Sequence, residues 1–184
     1  KTDYKLHEFD ISKIDKKFFI ESEKLLPNNN YIGFSITQGN VYRKKEWPLK
    51  SIVEICSKLN QIGKIPVFFI EKKNYELISK IKNLIPSALF PENESNFASP
   101  ALVICLGKRI DFAISIDNGV MHMLSLSKVP MILLFGPTNA EKFAPNYKGT
   151  IVLDSKKLYK LTNTSSISPE DVLTAAKHHL NFLN

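Results

Sequence analysis

The chain has 184 residues with 43% hydrophobic side chains and a formal charge of +7, a size that builds one sizeable core and one domain more readily than two. No stretch approaches the roughly 18 apolar residues of a membrane span, and no charged start with an apolar core and small-residue cleavage site is present, so a soluble, non-secreted chain is expected. Cys56 and Cys105 sit in apolar stretches without metal or redox spacing, which suits buried thiols in a reducing compartment and makes the cytoplasm the expected location.

The basic balance suits an anionic partner such as a nucleotide, a phosphorylated glycan or a lipid surface. It selects none of them, because lysine, isoleucine and asparagine are abundant throughout and the basic residues are scattered. The chain opens at Lys1 rather than at a methionine, which reads as a piece of something longer.

In chain order, "DISKIDKKFFIESEKLL" (10–26) reads as a helix and "PNNN" as a linker or packing arm. Residues 1–30 are therefore expected to precede a domain of residues 31–184. Short runs rich in isoleucine, valine and phenylalanine follow at 31–36, 65–70, 111–116 and 130–135, with "TIVL" at 150–153, and read as buried strands. Between them, Pro48 opens a helix in which Ile52, Ile55, Leu59 and Ile62 recur at helical spacing, with Gly63 placed to end it. Helices are also expected over 74–84, over 99–110 with Ser99 as N-cap and Pro100 in the first turn, and over 168–183 behind Ser168 and Pro169. Alternation of this kind predicts an α/β fold, a doubly wound parallel sheet covered on both faces.

In such a sheet, ligands bind at the carboxyl ends of the strands, where loops lead into helix N-termini. Four loops fall there: "TQGNVYRKKEWP", "EKKNYE", "DNGVMH" and "GPTNAEKFAP". In "DNGVMH", Asp117 ends a strand, Gly119 removes the Cβ in the way of a phosphate, and His122 lies about one turn into the next helix. The same six residues also read as a turn in which Asn118 and Gly119 take positive φ and His122 is a core histidine. Thr138 of "GPT" can donate a hydroxyl to a phosphate, or simply belong to a turn. Arg43, Lys44 and Lys45 stand beside Trp47 as cations for a diphosphate or as a solvated loop with Trp47 packing a helix start. Glu76 can accept from ribose hydroxyls or face solvent, and Glu71 is assigned to solvent. The chain has no G-x-G-x-x-G after the first strand, no Walker loop, no zinc spacing and no G-x-S-x-G elbow. His178 and His179, adjacent on a terminal helix, face different directions as surface or packing residues.

Taken in order, "KKEWP", "SIDNGVMHMLSLSKVP" and "LLFGPTNAEKFAP" resemble the carboxyl-terminal half of the ADP-heptose lipopolysaccharide heptosyltransferases, the family nine glycosyltransferases, over about residues 31–146. The resemblance implies a Rossmann-like half of the two-domain GT-B arrangement, in which this half binds a nucleotide-sugar donor, expected to be ADP-heptose. It implies inverting transfer without a metal or other cofactor, an amino-terminal domain supplying an aspartate base and holding the lipopolysaccharide core, and work at the inner face of the cytoplasmic membrane, with peripheral membrane association and no nucleic-acid partner. By position it assigns Lys45 to donor phosphate and leaving-group stabilisation, and Asp117, Asn118, Gly119, His122, Gly136, Pro137 and Thr138 to the donor site. Glu76 is assigned to the ribose, and Gln38, Gly39 and Asn40 to the region of the phosphates. Asn118 stands where the family has serine or threonine, and "MLSLSKVP" is more polar than the alanine-rich helix usual there. A chain of one domain lacks the catalytic base, so this half is expected to bind donor without turning it over. Two other readings stay open: a non-catalytic nucleotide or nucleotide-sugar module, and another GT-B glycosyltransferase or sugar-nucleotide epimerase.

Overall fold

A computed structural model describes residues 9–38 and 45–181. Five parallel strands, β1 (Tyr31–Ser35), β2 (Ile65–Phe68), β3 (Phe112–Ile116), β4 (Met131–Phe135) and β5 (Thr150–Asp154), form one sheet in the order β2-β1-β3-β4-β5. The helices are α1 (Lys16–Leu25), α2 (Leu49–Gln61), α3 (Tyr75–Leu84), α4 (Pro91–Glu94), α5 (Pro100–Gly107), α6 (Gly119–Leu126), α7 (Ala140–Phe143), α8 (Ser155–Tyr159) and α9 (Pro169–Asn181).

Strand residues alternate between two cores, as the period of a strand requires. Ile32, Phe34, Ile114 and Ile132 pack with Ile52, Ile55 and Leu59 of α2 and Val172 and Ala176 of α9. Tyr31, Ala113, Met131 and Leu133 pack on the other face with Leu102 and Leu106 of α5 and Met121 and Leu124 of α6. The sheet is therefore doubly wound, as the sequence predicts. Burial pushes the Cys56 and Cys105 thiols up to about 12 and 11, so neither is a nucleophile at neutral pH.

The differences from the expected elements have local causes. The expected helix over 10–26 is broken, because Asp10 accepts from Ser12 N and closes a short 3₁₀ turn, and Asp15 then caps α1 by accepting from Lys17 N. The helix expected over 99–110 ends at Gly107, after which Arg109 turns back to the carbonyls of Leu26 and Pro27 at 3.1 and 3.3 Å and ties the end of α1 to the sheet. Strand β2 stops at Phe68, two residues short of the expected run, where its outer edge pairs with Leu89. Gly63 follows α2 at φ +76°, the left-handed conformation that favours glycine at a helix end. Among the described residues no helix is long and apolar enough to cross a membrane.

Candidate functional site

Strand order reverses between β1 and β3: the chain runs from β1 out to β2 and returns to lay β3 on the other side of β1. In an open α/β sheet, that switch point leaves a crevice between the two strand ends. Ser35 ends β1 and pairs with Ser115 of β3, so the residues just after Ser35 and Ile116 form the crevice walls.

Asn118 holds those walls together. Its Oδ1 accepts from Met121 N at 2.8 Å, capping α6, and from Ser35 Oγ at 3.0 Å, while its Nδ2 donates to the Thr37 carbonyl at 2.9 Å. Asn118 has φ −151° and no positive φ occurs at Gly119, so "DNGVMH" is not a left-handed turn. The Asn118 amide faces inward and braces the β1 loop against α6, a job that a serine or threonine reaches less far to do. Ser35 and Thr37 are partners the sequence does not single out, since a small polar residue at the end of a buried strand carries no periodic signal.

Lys45 enters the crevice from the far end of the β1–α2 loop. Its Nζ donates to Asp117 Oδ2 at 2.5 Å and to the Asp117 carbonyl at 3.0 Å, and both side chains are about nine-tenths buried. The Lys45 amide donates to Gln38 Oε1 at 2.9 Å, which ties Lys45 to the residues that follow β1. Behind it, Trp47 is buried and donates its indole N–H to the Ile167 carbonyl, packing the start of α2. The ammonium is thus fixed beside the start of α6, where the first backbone N–H groups have no intrahelical acceptor. Gly119 is exposed there, and a Cβ on it would meet nothing within 4 Å. His122 is exposed on α6, which excludes the core-histidine reading.

The other candidates are placed differently. Gly136 is held by packing: a Cβ on it would lie 2.3 Å from Thr164 N, so the segment 163–164 needs a glycine there. The Pro137 carbonyl accepts from Lys156 Nζ at 3.3 Å. Thr138 has a buried hydroxyl oxygen without a partner and lines a cavity toward β5. Glu76 is exposed in the first turn of α3, and its contact is with the neighbouring Tyr75 hydroxyl. Glu71 is exposed and pairs with Lys73. Gly39, Asn40, Arg43 and Lys44 lie outside the described residues. His178 is exposed and His179 buried, with its pKa lowered chiefly by burial. Near the end of β2, burial first and then the Glu71 carboxylate push Glu92 from 4.5 up to about 7, a group that sequence patterning does not mark. Among the described residues no three His, Cys, Asp or Glu side chains are grouped to hold a metal.

A sequence profile of Glycosyltransferase family 9 (heptosyltransferase) matches residues 1–172. No curated protein sequence matches the chain. Among solved structures, the glycosyl transferase family 9 protein of Veillonella parvula DSM 2008 is 21% identical with a TM-score of 0.77, over 91% of this chain and 52% of that one. The ADP-heptose lps heptosyltransferase II of E. coli is 17% identical with a TM-score of 0.72, over 91% and 52%. The UDP-GlcNAc 2-epimerase of Methanocaldococcus jannaschii is 18% identical with a TM-score of 0.56, over 91% and 43%. At these identities the likeness is one of fold, and the chain spans about half the length of the solved proteins it matches.

Proposed function

The chain belongs to glycosyltransferase family 9, and from that membership we propose that residues 31–184 are the donor-binding domain of an inverting, metal-independent heptosyltransferase that uses ADP-heptose, with residues 1–30 as a packing segment. The observation that carries this reading is the Lys45 ammonium, buried at the switch point and held by Asp117 beside the open start of α6. A diphosphate laid across Gly119 meets a fixed cation and unpaired helix amides together.

The chemistry follows from where charge grows. As an acceptor hydroxyl attacks the anomeric carbon from the face opposite the leaving group, the bond to the diphosphate oxygen breaks and negative charge collects on ADP. Lys45 Nζ gives two of its N–H bonds to Asp117 and keeps a third for that oxygen. Because the ammonium is already in place, the stabilisation is realised without reorganisation as the bond breaks. Asp117 acts on Lys45 as a positioning residue. Asn118 supports α6 from behind, and His122 faces outward to a phosphate or ribose oxygen. Gln38 holds the Lys45 backbone by accepting from its amide. The base that takes the acceptor proton, and the surface that holds a lipopolysaccharide core at the membrane, belong to an amino-terminal partner domain in this proposal, so this chain binds donor and does not transfer.

The test is calorimetric titration of ADP, UDP and GDP into this chain and into His122→Ala, whose side chain is exposed and whose loss leaves the core intact. ADP is expected to bind most tightly and to weaken several-fold in the variant. Preference for UDP would favour the epimerase-like reading that the shared fold suggests, and equal binding by wild type and variant would remove His122 from the site. If a purified chain transfers sugar without a partner domain, the division of labour proposed here is wrong.

A further inference from the structure

Asp117 and Asn118, neighbours at the entry to α6, hold Lys45 by two routes. The direct one is the ion pair, in which Lys45 Nζ donates to Asp117 Oδ2 at 2.5 Å and to the Asp117 carbonyl at 3.0 Å. The indirect one runs through the residues after β1. Asn118 Nδ2 donates to the Thr37 carbonyl at 2.9 Å, and Gln38, the next residue, accepts from the Lys45 amide through its Oε1 at 2.9 Å. These contacts close a ring, from Asn118 through Thr37, Gln38, Lys45 and Asp117 back to Asn118, that fixes Lys45 at its backbone and at its ammonium.

The Asn118 amide has only one orientation that satisfies its partners: the Met121 N–H needs Oδ1, and the Thr37 carbonyl needs Nδ2. Ser35 Oγ, fully buried, accepts from the same Nδ2 at 2.8 Å and donates to Oδ1 at 3.0 Å. A serine at position 118 keeps an oxygen to cap α6, since serine and asparagine are comparable N-caps, but it lacks the nitrogen that donates to Thr37. One substitution therefore separates capping from the hold on the β1 end.

The ring bears on phosphate through the ammonium. With two N–H bonds given to Asp117, the third points where the Cε–Nζ bond directs it, and that bond follows the Lys45 backbone. An ammonium held by the ion pair alone keeps several conformers of its long stem, and ordering them when a ligand binds costs affinity.

We infer that Asn118 is a positioning residue for the phosphate-binding cation: acting through Thr37 and Gln38, it sets Lys45 before a diphosphate arrives. The diphosphate rests on the donor-binding function proposed above; the ring does not.

The experiment compares the wild-type chain with Asn118→Ser, Gln38→Ala and the double variant, by calorimetric titration of ADP, pyrophosphate and adenosine and by hydrogen exchange of the backbone amides. Each single variant is expected to weaken ADP and pyrophosphate about tenfold, the scale of one hydrogen bond, and to leave adenosine unchanged. The double variant should stay within about twofold of the weaker single one, because both residues act in one ring. In Asn118→Ser the Lys45 amide should exchange faster, while the Met121 amide, still capped, stays protected. Gln38→Ala leaves α6 and its cap untouched, so its titrations decide the matter if Asn118→Ser does not fold. Equal weakening of ADP and adenosine, losses that multiply in the double variant, or a Lys45 amide that exchanges at the wild-type rate in Asn118→Ser overturns the inference. If neither ADP nor pyrophosphate binds the wild-type chain, the donor reading falls, and exchange of the Lys45 amide still upholds or overturns the ring.

Discussion

Lys45 and Asp117 are buried against each other, so neither can be removed singly without leaving a charge that the core cannot solvate. Lys45→Ala is expected to cost about 3–5 kcal/mol in urea denaturation, the scale for breaking a buried pair. Lys45→Met combined with Asp117→Leu should recover most of that loss while still binding ADP poorly. A single variant that unfolds like the wild type would mean that the pair is not formed in solution. This coupling also shows the limit of reading one residue at a time. The sequence places a lysine before Trp-Pro and an aspartate after a strand, but says nothing of their contact across 72 positions. Asn118 is similar: its departure from serine or threonine reads as an altered ligand contact, whereas the folded chain uses the amide to brace Thr37 and Ser35.

At the scale of elements, the loops after β3 and β4 look alike in sequence, each a glycine turn leading into a helix, and the fold gives them different work. The first leaves Gly119 open to solvent at the start of α6, and the second buries Gly136 against the backbone of residues 163–164. Gly136→Ala must push that backbone aside, and about 1–3 kcal/mol of destabilisation is expected from the overpacking, read as a lower denaturation midpoint. Gly119→Ala has no such neighbour. A Gly136→Ala variant as stable as the wild type would show that segment 163–164 yields freely. Strands were legible because Ile, Val and Phe cluster in runs bounded by turn residues, and α2 because its apolar spacing is unambiguous. The short α4, α7 and α8 were not, because four or five residues carry too little periodicity and their ends are set by the caps that Asn139 and Asp154 supply to α7 and α8.

For the whole molecule, stability against pH is set by groups on different parts of the fold. Glu92 holds its proton in the folded chain up to about 7 and gives it up near 4.5 when unfolded. Its contribution is therefore complete below 4.5 and is lost as pH rises through 7. His179 has the opposite sign. Kept neutral below its ordinary 6.5, it contributes above that value and loses the contribution as pH falls. Glu92→Gln cannot ionise, so its melting temperature is expected to exceed that of the wild type at pH 8 and to approach it near pH 4.5. A difference that stays constant between the two pH values would place the Glu92 carboxyl in water.

The sequence by itself determined the doubly wound sheet, the face that α2 buries and the loops that carry polar residues to the carboxyl edge, because periodicity and turn chemistry are local and repeat along the chain. Its motifs, taken together, also determined the family. Only the tertiary structure decided which of those polar residues meet. Strand order, fixed by non-local packing, opens the crevice between β1 and β3, turns Asn118 inward, leaves His122 outside, and sets Thr138 beside lysines of α8.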